Sequence, residues 1–178
     1  MQWRAFTHQN KTYSLDHLDS KTILYEQPGK ADKPARKYSV EVDFSLHCFT
    51  RGIVANEQID KTLLYADRRE QRVFDFQRYE LSKLLPEIVA DLPNRKCYHT
   101  GKGNFFCVEL VDQRGVKIEY DVFFEASRTQ TKALLRLFVQ SAYVRDKKHK
   151  SNRPHKKPIG FFVILFNTLN QKPIKIPE

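Results

Sequence analysis

The sequence predicts an α+β protein, a curved and mainly antiparallel β-sheet with one or two helices packed on one face. Three observations carry that expectation. Tyr38–Thr50 and Lys117–Ala126 alternate apolar and polar residues with a period of two. Phe76–Leu92 instead spaces Leu81, Leu84, Leu85, Ile88, Val89 and Leu92 at three- and four-residue steps. Thirteen Phe and eight Tyr against six Gly describe an aromatic, β-rich interior. At 178 residues the chain suits one domain, with 1–36 as an N-terminal β extension and 145–158 as a basic loop.

Taken in order, Trp3–Thr7 and Thr12–Leu18 read as short strands about a polar turn, with Lys21–Gln27 as a third. Pro28–Lys37 is a Pro-rich basic connector. Tyr38–Thr50 is a strand with Asp43, Ser45 and His47 on its polar face. Asn56–Ala66 suits a short helix capped by Asn56. Asp67–Arg72 is a charged turn, and Val73–Phe76 a brief strand. Pro86 interrupts the leucine-rich helix and starts a second segment or kinks it.

From Lys96 onward strands dominate. Lys96–Thr100 meets Asn104–Val111 through Gly101–Gly103, and Lys117–Ala126 follows the turn Asp112–Gly115. Leu134–Val144 is strongly β-prone, and Ile159–Asn167 reads as a central strand because it is the most apolar run.

Charge directs the functional reading. The chain carries a net +10, and residues 145–158 alone carry +6. Such a segment stays in solvent, because buried unpaired charges are too costly. Dense cationic loops meet phosphate backbones well, since each neutralised phosphate releases counterions. Lys147, Lys148, Lys150, Arg153, Lys156 and Lys157 are the expected nucleic-acid contacts, RNA being the favoured partner. Tyr143 and Phe161 flank that loop as aromatics able to stack bases. A protein partner with an acidic surface is the other reading of the same charge.

No apolar signal-peptide core opens the chain, and its longest apolar run, Phe161–Phe166, is far short of the roughly 20 residues that span a bilayer. Three Cys fit a reducing cytoplasm better than a disulfide scaffold. No cofactor motif appears. His47 with Cys48, Cys97 with His99, and Cys107 lack the paired spacing of structural zinc sites, so no metal is expected from them. Asp43, Glu109, Glu119, Asp121 and Glu125 are strand acids that read as solvated before they read as a magnesium site.

Metal-free chemistry on RNA needs a proton carrier and fixed cations, because the 2′-hydroxyl supplies the nucleophile. His47 and Arg51 end the first long strand, Ser127 and Arg128 end the third, and Ser141, Tyr143 and Arg145 share one face of the next. His47, Arg51, Arg128, Ser141, Tyr143 and Arg145 are therefore the candidate catalytic residues. The stretches Phe44–Arg51, Gln140–Asp146 and Phe161–Leu169 resemble the small metal-independent ribonucleases grouped with RelE, barnase, EndoU and the colicin nuclease domains. They cover about a fifth of the chain. That resemblance implies RNA cleavage on a curved sheet, in a toxin-like bacterial or phage protein. A non-catalytic nucleic-acid-binding module is the alternative.

Overall fold

The computed structural model describes residues 1–30, 33–113, 115–130, 134–145 and 157–176. The strands are β1 (Phe6–His8), β2 (Lys11–Tyr13), β3 (Lys21–Gln27), β4 (Arg36–Phe44), β5 (Thr50–Arg51), β6 (Leu64–Ala66), β7 (Gln71–Phe74), β8 (Cys97–His99), β9 (Phe105–Gln113), β10 (Val116–Arg128), β11 (Leu134–Val144) and β12 (Lys157–Ile159). The helices are α1 (Phe76–Ser82), α2 (Leu85–Ala90) and α3 (Phe161–Leu169). Seven strands form the main sheet in the order β12-β8-β9-β10-β11-β4-β3. Its pairings are antiparallel except β11 with β4, so the fold is α+β as the alternation predicts.

One sheet face carries the core. Tyr38, Val40, Val42 and Phe44 of β4 align with Leu135, Leu137 and Val139 of β11, and Tyr120, Val122 and Phe124 continue the layer on β10. Phe161 of α3 packs edge-on to Tyr25 of β3 at 4.9 Å, and the Tyr25 hydroxyl donates to the Val89 carbonyl of α2 at 2.7 Å. Trp3, Phe6, Leu15 and Leu18 join the same core, so the N-terminal stretch is integral to it.

Four elements depart from the sequence expectation. Residues Phe161–Leu169 form a helix, α3, and the final strand is only Lys157–Ile159. A continuous apolar run does not distinguish buried strand from buried helix. The helix buries Phe161, Ile164 and Leu165, while Val163 stays 49% exposed. Phe161 is consequently a core ring, 3% exposed, and not a surface for bases.

The long strand from Tyr38 stops at Phe44, because Ser45 accepts a bond from the His47 amide and turns Leu46–Cys48 into one 3-10 turn. Asn56–Ala66 forms no helix. Asn56 adopts φ 62, Asp60 caps a 3-10 turn over Lys61–Leu63, and Leu64–Ala66 pairs with β7. Thr12–Leu18 likewise divides into β2 and a 3-10 turn over Asp16–Leu18. In Phe76–Leu92, Pro86 opens the second helical segment, where its missing amide costs nothing.

His99 is buried beside Phe105, and its Nδ1 accepts the Gly101 amide at 2.8 Å. Burial, with the charge of Lys157, holds its pKa below the ordinary 6.5. The folded state thus binds fewer protons than the unfolded chain below pH 6.5, and stability falls as pH falls through that value. We expect the melting temperature to drop between pH 7 and pH 5, and His99→Gln to flatten part of that slope. An unchanged slope in the variant would assign the pH dependence to other groups.

Candidate functional site

Of the predicted site residues, Ser141 and Tyr143 lie on the outer sheet face, opposite α2 and α3, whereas Arg128, across from core-facing Leu135, is on the other face, and His47 and Arg51 belong to a 3-10 turn and to β5, outside the main sheet. On β11 the side chains of Arg136 and Phe138 also lie on the outer face. A bulge falls at Gln140, where the register with β10 shifts between Phe123 and Phe124. The extra residue restores parity, so Ser141 and Tyr143 continue on the same outer face, opposite Phe123 and Asp121.

At one end of this face the rings of Tyr98, Phe106, Phe123 and Tyr143 follow one another across β8, β9, β10 and β11 at 5.2, 5.3 and 5.6 Å. Phe106 and Phe123 are buried, so the row is a packed second layer and not an open stacking platform. Arg145 Nε donates to Asp121 Oδ2 at 2.6 Å, and both side chains are buried, at 3% and 0% exposure. The Arg145 guanidinium is held beneath the surface by this pair. Tyr143 is half-buried, with Arg78 and Arg145 at 5.5 and 5.8 Å from its ring. Burial raises its phenol pKa.

Arg78 of α1, absent from the sequence-level candidates, links these groups to His47. Its Nη1 donates to the His47 and Thr50 carbonyls at 3.1 and 2.9 Å. No periodicity in the sequence marks which helix cation reaches across to another element.

His47 sits in the 3-10 turn, and its Nε2 lies 2.6 Å from Glu70 Oε1. The other Glu70 oxygen accepts from Arg72 at 3.3 Å, and Arg72 Nε donates to Thr50 Oγ1 at 2.9 Å. The His47 contact, with Arg72 behind it, holds the Glu70 carboxyl below its ordinary range. Arg51 makes a two-pronged pair with Glu57, one prong at 2.8 Å, which ties down the following loop. Ser141 is opposite Phe123 on the outer sheet face. Arg128 is opposite Leu135, seven residues along β10 from Asp121, roughly 23 Å away at 3.3 Å per residue. Arg78 thus touches the Tyr143 ring and the His47 backbone, while the His47 imidazole turns to Glu70, Arg145 to Asp121 and Arg51 to Glu57, so the predicted catalytic side chains are not gathered into one cluster.

The other end of the face opens into a cavity of about 900 Å³. Its floor is Glu125, Arg136 and Phe138, and its walls are Trp3, Arg4, Tyr65 and the turn from Asp67 to Arg69. That turn is built by Asp67, whose Oδ1 accepts the Arg69 and Glu70 amides at 2.7 and 2.9 Å. Burial pushes the Asp67 carboxyl up, but the two amides and Arg69 bring it below its usual range. Glu70 closes the same turn, so the His47–Glu70 pair stands directly behind the cavity wall. Arg136 donates to the buried Asp43 at 2.6 Å. Burial would raise the Asp43 pKa, yet Ser20 and Arg136 hold it low. Arg68 and Arg69 are adjacent in sequence, which marks a charged turn, but their convergence with Arg4 and Arg136 depends on tertiary folding.

Lys147, Lys148, Lys150, Arg153 and Lys156 lie outside the described residues. Lys157 is on β12, opposite His99 at the sheet edge. Cys97 and Cys107 face each other across β8 and β9, and burial pushes the Cys97 thiol up to about 12. Among the described residues no helix is long and apolar enough to cross a membrane.

Fold and site together define an α+β protein with an arginine-lined cavity on the outer face of a mostly antiparallel sheet. The chain matches the YjaZ family over residues 5–169, and it belongs to that family. It is 33% identical over 180 residues to Protein YjaZ of Escherichia coli (strain K12), an alignment covering 99% of this chain and 96% of that protein. No solved structure matches it.

Proposed function

We propose that the protein binds nucleic acid, RNA in preference to duplex DNA, along the outer face of its sheet. The observation that carries this reading is the cavity at which Arg4, Arg68, Arg69 and Arg136 converge. Guanidinium groups suit phosphates through their planar fork of donors. The +6 charge of residues 145–158 adds a second cationic element. A cytoplasmic location accompanies this reading, in line with three unpaired, buried cysteines.

The His47–Glu70 pair favours a second reading, metal-independent RNA cleavage. His47 would take the proton of the 2′-hydroxyl as its oxygen attacks the adjacent phosphorus. The 5′-oxygen would leave with a proton from a second acid, giving a 2′,3′-cyclic phosphate. A carboxylate 2.6 Å behind the imidazole orients it for such a role.

One experiment separates the readings: retardation and cleavage of RNA and duplex DNA over a salt series, with and without EDTA. Binding that weakens steeply with salt is expected, with the slope for single strands reduced by about 1.4 in the Arg68→Ala/Arg69→Ala double variant, at about 0.7 per phosphate contact. A flat salt response would point to a protein partner. Cleavage that survives EDTA and falls about 10²- to 10⁴-fold in His47→Ala, with binding intact, would establish the second reading. Retardation without cleavage would leave a binding module.

A further inference from the structure

We infer that Cys97 and Cys107 form a site of covalent modification, a cross-strand disulfide that closes when the reduced protein meets a small disulfide oxidant. This goes beyond the nucleic-acid reading and does not depend on it.

Placement comes first. Cys97 of β8 stands directly opposite Cys107 of β9, and both are buried free thiols. The Thr100 amide donates to the Asn104 carbonyl at 3.0 Å, which marks 100 and 104 as a hydrogen-bonded pair at the end of this ladder. Bonded and unbonded pairs alternate, so Tyr98 and Phe106 are a bonded pair and Cys97 and Cys107 an unbonded one. Unbonded pairs hold their α-carbons about 4.5 Å apart, within the roughly 4.4–6.8 Å that disulfides span. Opposite side chains point to the same face and come closest at such pairs. The backbone spacing therefore suits an S–S bond. Cys48, by contrast, lies in the 3-10 turn with its thiol toward the Val139 carbonyl at 3.7 Å.

Burial sets the reactivity. It pushes the Cys97 thiol up to about 12, and with the neighbouring Cys97 it raises the Cys107 thiol well above its ordinary 9. Arg95 pulls both thiols the other way but does not overcome burial. The thiolate is the attacking species, so the closed fold keeps the pair as a slow-reacting dithiol. Reaction requires β8 to open. That strand has three residues, and its far side is held by β12, which also has three. Once β8 opens, the thiolate of one cysteine attacks the oxidant's S–S bond, and one thiol of the oxidant leaves. The thiolate of the other cysteine then displaces the second, and the Cys97–Cys107 bond forms. The two cysteines lose two protons and two electrons, and the oxidant takes up both to become two thiols. The bond fastens β8 to β9, and β8 carries β12 at the sheet edge.

Trypsin cuts between the two cysteines at Lys102, so the bond is read as peptide 97–102 joined to peptide 103–114. The test incubates the reduced full-length protein with oxidised glutathione, in native buffer and in urea below the unfolding transition, and alkylates the remaining thiols before digestion. The joined peptides are expected, with Cys48 alkylated and the free thiols falling from three to one. The oxidised protein should melt roughly 5–10 °C above the reduced one, and dithiothreitol should reverse the shift. Cys107→Ala should abolish the joined peptides, whereas Cys48→Ala should leave them. Glutathione retained on Cys97 or Cys107 without joined peptides would overturn the geometric argument, as would a lower melting temperature after oxidation. Three free thiols after prolonged exposure in urea, or a bond that includes Cys48, would overturn the site itself.

Discussion

Arg145→Ala is expected to lower the unfolding free energy by about 3–5 kcal/mol, the usual loss when one partner of a buried ion pair is removed. Arg145 and Asp121 are among the most enclosed charges in the described fold, 2.6 Å apart with side-chain exposures of 3% and 0%. Alanine leaves the Asp121 carboxylate in the sheet without its guanidinium, and water cannot easily replace that partner. The double change Arg145→Met with Asp121→Leu should cost much less, because it removes both charges while keeping bulk. Urea unfolding of the three proteins gives the comparison. A single-variant loss below about 1 kcal/mol, as for surface pairs, would show that the pair is solvated. The result also guards the functional work: loss of RNA binding in Arg145→Ala means little until folding has been checked.

Phe161→Ala should cost a similar amount, about 3–5 kcal/mol, whereas Val163→Ala should change stability by no more than about 0.5 kcal/mol. Phe161 is 3% exposed and sits against Tyr25 and Phe124. Val163 is 49% exposed on the outer side of α3. On a strand, positions 161, 163 and 165 would share one face and fail together. On a helix, 161, 164 and 165 face inward and 163 outward. Equal losses at Phe161 and Val163 would restore the strand that the apolar run first suggests.

These two cases show where sequence is sufficient. Alternation at Tyr38–Val42 reports a strand faithfully because Tyr38, Val40 and Val42 are buried in the core while Ser39 and Glu41 are not. The same logic fails for Phe161–Phe166, where every residue is apolar and only the pattern of burial distinguishes 3.6 from 2 residues per repeat. It fails at Ser45, where one hydroxyl accepting the His47 amide ends a strand whose alternation continues for five more residues. It fails at Asn56, whose side chain suits a cap but whose backbone takes the left-handed region. Site residues divide on the same line. His47 is visible as a titratable group after a strand, but Glu70, its partner, lies 23 positions away. Arg4, Arg68 and Arg136 belong to three separate segments, and only the folded chain brings them to one cavity.

The parallel contact between β4 and β11 has a consequence for biosynthesis. Leu134 pairs with Ser39, so about 95 residues of chain lie between the two partners. A ribosome adding roughly 5–20 residues per second delivers β11 about 5–19 s after β4. During that interval the β3–β4 hairpin has one edge without its neighbour, and Tyr38, Val40 and Val42 have no layer to cover them. An apolar strand with a free edge is a template for association with other chains. The nascent protein is thus most exposed to misassembly before its C-terminal half emerges, and crowding of polysomes or loss of holdase chaperones should reduce its yield more than heating the finished molecule by a few degrees.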